Sequence, residues 1–299
     1  MPGSRRTPRP GMTNKAAFSL VELSIVLVIL GLLTGGILTA QNLIRAAELK
    51  SVITEKEKFQ TAAMTFRDRY FYLPGDMPNA TLFWGQATNC TGSATALAAG
   101  TCNAYEANGY IGRPPNDTNW QHDREFFYAW HHLSLAGLIE GDYWGLSNFP
   151  GSSMGAVSGK NVPVSKLGNA HWCFTSRSGP RWGHPDDYSN SLTLASHPGN
   201  LANDRNCNCH NGSVPAHLPD WLQPLTPTEA WGIDKKIDDG MPNQGSVRAP
   251  DTYPGACTDT ILYDGPSGSP TTAIPVNAAA GYLLTQENPW CRMVFINLF

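Results

Sequence analysis

The segment FSLVELSIVLVILGLLTGGILTA, residues 18–40, decides how this chain is organised. It carries a single charge, Glu22, close to its start. An α-helix rises about 1.5 Å per residue, so an apolar segment of this length can cross a hydrocarbon core of about 30 Å. The sequence therefore predicts a membrane span over residues 18–40 with one carboxylate inside it.

The residues before this span are basic. Arg5, Arg6, Arg9 and Lys15 precede it, and no acidic residue lies before Glu22. Because basic flanks stay in the cytoplasm, we expect a cytoplasmic N-terminus and an exported C-terminal part. A signal anchor or a cleaved secretory signal has similar flanks. Neither needs a carboxylate in the span, which costs about 2.5–3.5 kcal/mol on insertion scales unless a partner offsets it.

The residues around Glu22 resemble the class III signal of type IV prepilins and type II secretion pseudopilins. In that family a small residue precedes Phe, and Glu is the fifth residue counted from that Phe. Here Ala17, Phe18 and Glu22 fill these positions, although the family usually has Gly in place of Ala17. The resemblance implies that a prepilin peptidase cuts between Ala17 and Phe18 and methylates the new amino group of Phe18. Met12 offers an alternative start with the compact leader MTNKAA.

The same resemblance implies a structural subunit rather than an enzyme. We expect a pilin-like or pseudopilin-like protein, a minor one because its head is large, that enters a type II secretion or type IV pilus filament. Glu22 would pair there with the Phe18 amine of a neighbouring subunit. The alternative is a membrane-anchored periplasmic ligand-binding module or hydrolase, since the head is rich in aromatic residues.

The location and the partners follow from that resemblance. We expect a single-pass protein of the bacterial inner membrane with a cytoplasmic N-terminus and a periplasmic head, which can pass into a periplasmic or extracellular filament. The implied partners are the prepilin peptidase, other pilin or pseudopilin subunits, membrane lipid and, indirectly, the inner-membrane platform and a separate assembly ATPase. The chain itself has no GxxxxGK[ST] phosphate loop.

Composition points to a loop-rich head. The 299 residues have a formal net charge of −3, only 15% charged residues, and 29 Gly with 23 Pro. A chain of this charge lacks the basic footprint typical of nucleic-acid binding, so no nucleic-acid partner is predicted. The predicted fold class is α+β, with a long N-terminal helix packed on a loop-rich head that contains an antiparallel sheet.

We expect four regions along the chain. They are a leader peptide at 1–17, the transmembrane half of a long helix at 18–40, its amphipathic half at 41–70 and a globular head at 71–299. In the third region apolar residues recur three, four or seven positions apart, which predicts a helix with one buried face. These apolar residues are Leu49, Val52, Ile53, Phe59, Ala63, Phe66 and Tyr70.

Within the head, local signals predict two short helices and several strands. Asp123 can cap one helix, and Thr226, Pro227 and Glu229 form a capping box for another. Short strands are predicted at 170–175 and 191–195. An antiparallel sheet is predicted from segments 245–249, 261–263, 281–285 and 291–299, the last as a half-buried strand.

All seven cysteines follow the span, where an oxidising compartment favours disulfides. They are Cys90, Cys102, Cys173, Cys207, Cys209, Cys257 and Cys291. Proximity along the chain favours Cys90 with Cys102, Cys257 with Cys291, and Cys173 with either Cys207 or Cys209, which leaves one thiol over. A zinc site of Cys207, Cys209 and His210 with upstream His171 and Cys173 is less favoured, because CxxC spacing is missing.

Three acidic residues crowd the predicted end of the helix that begins at Thr226. Asp234, Asp238 and Asp239 lie where the helix dipole disfavours negative charge. A hard cation would neutralise them, and calcium takes carboxylate oxygens as ligands. Calcium in some pseudopilin heads supports the same expectation by resemblance. The alternative, a solvated acidic turn, stays open.

Overall fold

The computed structural model describes residues 19–88, 90, 100–112, 124–146, 156–168, 170–177, 188–196, 223–249, 257–259, 280–289, 291–296 and 298–299. In chain order the elements are α1 (Leu20–Tyr70), α2 (Thr81–Trp84), α3 (Glu125–Leu135), β1 (Ala170–Arg177), β2 (Tyr188–Ser196), α4 (Pro227–Ile237), β3 (Val247–Arg248) and β4 (Met293–Phe295). The predicted α+β class is confirmed, with one long N-terminal helix followed by a small antiparallel sheet and shorter helices.

Helix α1 spans Leu20–Tyr70, and the chain divides into two compact units between Ala47 and Glu48. In the first unit its apolar side chains are exposed. In the second unit its inner face is buried, and the buried residues are Val52, Glu55, Phe59, Ala62, Ala63 and Phe66. The predicted leader, residues 1–17, lies outside the described residues.

The four strands form one sheet in the order β1-β2-β4-β3, with each neighbouring pair antiparallel. The short strands predicted at 170–175 and 191–195 are the longer strands β1 and β2 at one side of this sheet. Only two residues of segment 245–249 and three of segment 291–299 are strand. The C-terminal strand is fully buried rather than half-buried, because β4 is paired on both sides and both faces are covered.

One predicted strand is wrong. Segment 281–285 contributes a single bridge, between Tyr282 and Thr258. The chain then turns, since the Leu284 N–H donates to the Tyr282 carbonyl and the Gln286 N–H to the Leu283 carbonyl, both at 2.9 Å. Hydrogen bonds within the turn replace the ladder that a strand would need. Segment 261–263 lies outside the described residues.

The core lies between the inner face of α1, helix α3 and the sheet. The Phe59 ring meets the ring of Trp130 edge-on at 5.0 Å and that of Trp172 at 5.8 Å. Trp130 lies on α3 and Trp172 on β1, so one side chain of α1 joins a helix and a strand. Aromatic pairs of this kind add to the burial of apolar area that holds a small domain together.

The two disulfides expected from proximity are present. Cys90 is bonded to Cys102, and Cys257 to Cys291. Cys173 is also disulfide-bonded. Its two predicted partners, Cys207 and Cys209, lie outside the described residues.

Local signals at helix ends had mixed outcomes. The capping box of α4 is confirmed, since the Glu229 N–H donates to Thr226 Oγ1 and the Thr226 N–H donates to the Glu229 carboxylate. Helix α3 instead begins after Arg124, which makes no side-chain cap. The predicted cap, Asp123, lies outside the described residues.

Candidate functional site

Glu22 lies in the first turn of α1, and its carboxylate is held by its own chain. The Ser19 backbone N–H donates to Glu22 Oε2 at 2.8 Å, and Ser19 Oγ accepts from the Val21 N–H at 3.4 Å. Ser19 directly precedes the helix, so these bonds satisfy two of the N–H groups that a helix start leaves unpaired. They also place negative charge at the positive end of the helix dipole.

Ser19 was not among the residues predicted to belong to this site. The signal was present, because Ser19-x-x-Glu22 directly before an apolar run is a capping-box pattern. The bond from Ser19 gives Glu22 a partner within the single chain and so reduces the cost of a carboxylate in hydrocarbon. Ala17 and Phe18, the expected cleavage pair, lie outside the described residues.

The segment that follows Glu22 presents an apolar surface to its surroundings. Large side chains from Leu20 to Ile44 are exposed, and the hydroxyls of Ser24, Thr34 and Thr39 donate to carbonyl oxygens of their own helix at 2.8–3.0 Å. Polar groups satisfied inside the helix are what hydrocarbon requires. Among the described residues, α1 is the helix long and apolar enough to cross a membrane, with a mean hydropathy of 2.4 over its best 18-residue window.

The head contains the acidic cluster expected from the sequence. One carboxylate oxygen from each of Asp234, Asp238 and Asp239 lies within 4.8 Å of the others. Asp234 is buried, Asp238 is half-buried and Asp239 is exposed. Carboxylate oxygens at this separation, with one edge open to solvent, match the donor set of a hard cation.

Each carboxylate of this cluster also has a structural task. Asp234 accepts from the Tyr282 hydroxyl at 2.8 Å and ties α4 to the segment near the C-terminus. Asp238 accepts from the backbone N–H groups of Ser246 and Val247 at the start of β3. Asp239 caps its own turn through a backbone N–H two residues on. The cluster therefore shapes the turn between α4 and β3 as well as offering oxygen ligands.

Burial dominates the electrostatics of this cluster. It raises the pKa of Asp234 to about 6, against the lowering effects of the Tyr282 hydroxyl and the Gly240 N–H, with smaller raising contributions from Asp239 and Asp238. Burial and the Asp234 carboxylate likewise raise the pKa of Tyr282. Asp234 is thus ionised at pH 7 and can offer a charged ligand there, but it is largely protonated below pH 5.

The histidines of α3 are structural. His132 Nδ1 accepts from the Gly75 N–H at 3.1 Å, which leaves the proton on Nε2, 3.1 Å from Thr101 Oγ1. Burial first, and then His131, lower the pKa of His132 to about 3. His131 directs both ring nitrogens at backbone carbonyl oxygens. Neither ring presents a lone pair to a metal ion.

One candidate ligand of the alternative zinc site is excluded. Cys173 is disulfide-bonded, so it has no thiolate to offer. His171 is fully buried on β1. Cys207, Cys209 and His210 lie outside the described residues.

The aromatic residues that the structure describes include both buried and exposed side chains. Trp130 and Trp172 are fully buried in the core. Phe71 and Phe83 have 86% and 55% of their surface exposed. Phe71 also has a φ of 65°, a left-handed conformation that is unfavourable for a bulky side chain. Core packing therefore accounts for Trp130 and Trp172.

Comparison with known proteins matches the N-terminal part of the chain alone. Residues 12–38 match the family described as the prokaryotic N-terminal methylation motif. No curated protein and no solved structure matches the chain. The matched residues include Glu22 and most of the exposed apolar segment described above. The chain therefore carries, at its N-terminus, the signature of type IV pilins and pseudopilins.

Proposed function

We propose that this chain is a minor pilin-like or pseudopilin-like subunit of a type II secretion or type IV pilus filament. A prepilin peptidase cuts between Ala17 and Phe18 and methylates the Phe18 amine. The N-terminal half of α1 then anchors the chain in the inner membrane with its head in the periplasm. The match at residues 12–38 supports this proposal, as does the exposed apolar surface of α1.

The observation that carries the proposal is that Glu22 is a single charged side chain in a long apolar segment. It is the only ionisable side chain between Phe18 and Ile44. Within the described part of the chain, its carboxylate has one hydrogen-bond partner, the Ser19 N–H, which engages Oε2. We propose that the other oxygen, Oε1, accepts from a group of another molecule. A cationic amine at Phe18 of a neighbouring subunit can be that group, because it has the opposite charge and lies at a similar depth in the membrane.

The proposed action is mechanical. The helix is held in the membrane and then drawn into a filament, where its exposed apolar residues are covered by those of neighbouring helices. A charge pair buried between subunits is strongly dependent on both members, because removing one leaves the other unpaired at a cost of about 3–5 kcal/mol. A separate ATPase supplies the work. We propose no catalytic role for this chain.

Substitution of Glu22 tests this proposal. We expect Glu22→Gln to insert and be processed normally, because the leader and the apolar segment are unchanged. Its recovery in purified filaments should fall about 100-fold or more, as expected for the loss of an ion pair excluded from water. Ser24→Ala is the matched control, because Ser24 lies half a turn further on and donates only to its own helix. Normal incorporation of Glu22→Gln into filaments would contradict the proposal and favour an anchored ligand-binding head.

A further inference from the structure

Glu55 is a buried carboxylate on the face of α1 that contacts the head. Its exposed fraction is 9%. Ser165 Oγ and Trp172 Nε1 both donate to Glu55 Oε2 at 2.7 Å, and the Lys166 backbone N–H donates to Oε1 at 2.8 Å. The three donors come from β1 and the segment before it, more than 100 residues further along the chain. The carboxylate thus joins α1 to the sheet by three directional bonds.

This arrangement differs from an ordinary ion pair. Glu55 has no cationic partner among the residues that the structure describes, and it is the only charged member of the buried face of α1. A buried carboxylate is tolerated when its oxygens are hydrogen-bonded, and it is costly when they are not. The position of α1 that keeps all three bonds is therefore strongly favoured.

The apolar residues on the same face are less selective. Val52, Phe59 and Phe66 are seven residues apart, and Ala62 and Ala63 fill the turn between the last two. A helix displaced along its axis by one or two turns would again place apolar side chains against the head. One turn moves each residue by about 5.4 Å, which is far beyond hydrogen-bond reach. A displaced helix would leave the donors of Ser165, Lys166 and Trp172 without the carboxylate.

We propose that Glu55 fixes the register of α1 on the head. The apolar face holds the helix against the head. The three hydrogen bonds to Glu55 favour one position of the helix along its axis over positions displaced by one turn. Single buried polar residues that set register between apolar helices are a known use of this chemistry. When α1 moves along its axis, the head then moves with it as a rigid body, because the helix does not slip by one turn against the head.

Cysteine pairs on α1 and the C-terminal segment report this register. Gln60 Nε2 donates to the Leu298 carbonyl at 2.8 Å, so the Gln60 side chain reaches the Leu298 backbone in the native register. The native pair is Q60C with L298C. The displaced pairs, one turn away in either direction, are K56C with L298C and M64C with L298C. Disulfides are read by mass spectrometry of peptides from the full-length protein in detergent.

In the otherwise unchanged chain we expect the native pair to form and the displaced pairs to stay reduced. With Glu55→Met the ratio of displaced to native disulfide should rise about tenfold or more, because hydrogen bonds to a charged group are lost only from the native register. Glu57→Gln on the exposed side of the same helix is the matched control and should leave the ratio unchanged.

A second variant keeps the test decisive if Glu55→Met does not fold. Glu55→Gln retains the shape of the side chain and one acceptor oxygen, so we expect a smaller shift of the ratio in the same direction. A wild-type ratio in every folded Glu55 variant would overturn the inference and assign the register to apolar packing. Register is a property of the single chain, so this result is independent of filament assembly.

Discussion

The two halves of α1 form one continuous helix, yet they differ in what surrounds them. Residues of the N-terminal half, such as Ile29, are at least half exposed and apolar. Residues on the inner face of the C-terminal half, such as Phe59, are buried by the head. Each half also holds a carboxylate with defined hydrogen-bond partners. Glu22 is bonded within its own first turn, whereas Glu55 is bonded to the head.

This difference indicates which contacts stabilise each half of the helix. Helices within proteins gain most of their stability from tertiary packing of an apolar face. The head supplies that packing for residues 48–70. Among the described residues the first half has no such partner. In the proposed function a membrane and other subunits supply it. Substitutions in the two halves should consequently separate assembly from folding of the head.

The largest effect should come from the buried half. We expect Phe59→Ala to destabilise the head by about 3–5 kcal/mol, because it removes the ring between Trp130 and Trp172 and leaves a cavity. Ile29→Ala, in the exposed half, should leave the unfolding transition of the head unchanged. Denaturant unfolding of the detergent-solubilised protein, followed by tryptophan fluorescence, measures both. Equal losses of stability would contradict the separation of the two halves.

Calcium should act on the head alone. If calcium occupies the cluster of Asp234, Asp238 and Asp239, a concentration 100 times its Kd would stabilise the head by about 2.7 kcal/mol at pH 7. We expect the head's Tm to rise with calcium and to return after chelation. Asp239→Asn, which changes the exposed member of the cluster, should weaken the response. A Tm that is independent of calcium would show that the cluster is a hydrogen-bonded acidic turn.

The buried side chain of His132 should make the stability of the head depend on pH in the acidic range. The pKa of His132 is lowered from 6.5 to about 3 in the folded protein, so between these values the unfolded chain binds a proton that the folded chain does not. Stability must then fall as the pH drops through this window, by about 1.4 kcal/mol per pH unit at most. Between pH 6.5 and 5 the loss from His132 is about 1.6 kcal/mol, because the unfolded histidine is only half protonated at pH 6.5.

Asp234 opposes that loss. Its pKa is raised from 3.8 to about 6, so between these values the folded chain binds the extra proton and stability rises as the pH drops. The two groups therefore nearly cancel between about pH 6 and 4 in the unchanged protein. We expect Asp234→Asn to expose the slope from His132 when unfolding is measured across this range in a chelator. An unchanged slope in that variant would contradict the opposing titrations.

The smallest effect lies where α1 ends. Phe71 has a φ of 65° and an 86% exposed side chain, so its ring gains little from packing in this chain. Phe71→Gly should stabilise the head by about 1 kcal/mol, because glycine has no steric penalty in the left-handed region. Phe71→Ala is the control, since it removes the ring but keeps Cβ and most of the penalty. Thermal unfolding should rank glycine above alanine, and the reverse order would contradict the strain.

Local signals in the sequence predicted local structure well. The apolar run and the spacing of residues to Tyr70 predicted a continuous helix, because period and length are written in neighbouring residues. Thr226, Pro227 and Glu229 predicted the start of α4, because a capping box closes within one turn. The Ser19–Glu22 cap is equally local and could have been predicted from the same pattern.

Structure that depends on distant residues was harder to predict. Glu55 looks like a solvated acid in sequence, although it lies between apolar Val52 and Phe59 at helical spacing. Its burial depends on Ser165 and Trp172, which only the fold brings to it. The apolar segment 281–285 resembles a strand, but turn hydrogen bonds and the nearby disulfide of Cys291 decide its path.

Processing of the N-terminus distinguishes a pilin-type subunit from an anchored or secreted head. Mass spectrometry of the mature protein, from cells with and without their prepilin peptidase, reads the cleavage site and the methyl group together. We expect a peptide that begins at N-methylated Phe18 and disappears when the peptidase is absent. An intact leader, or a cut after residue 40, in cells that have the peptidase would contradict it.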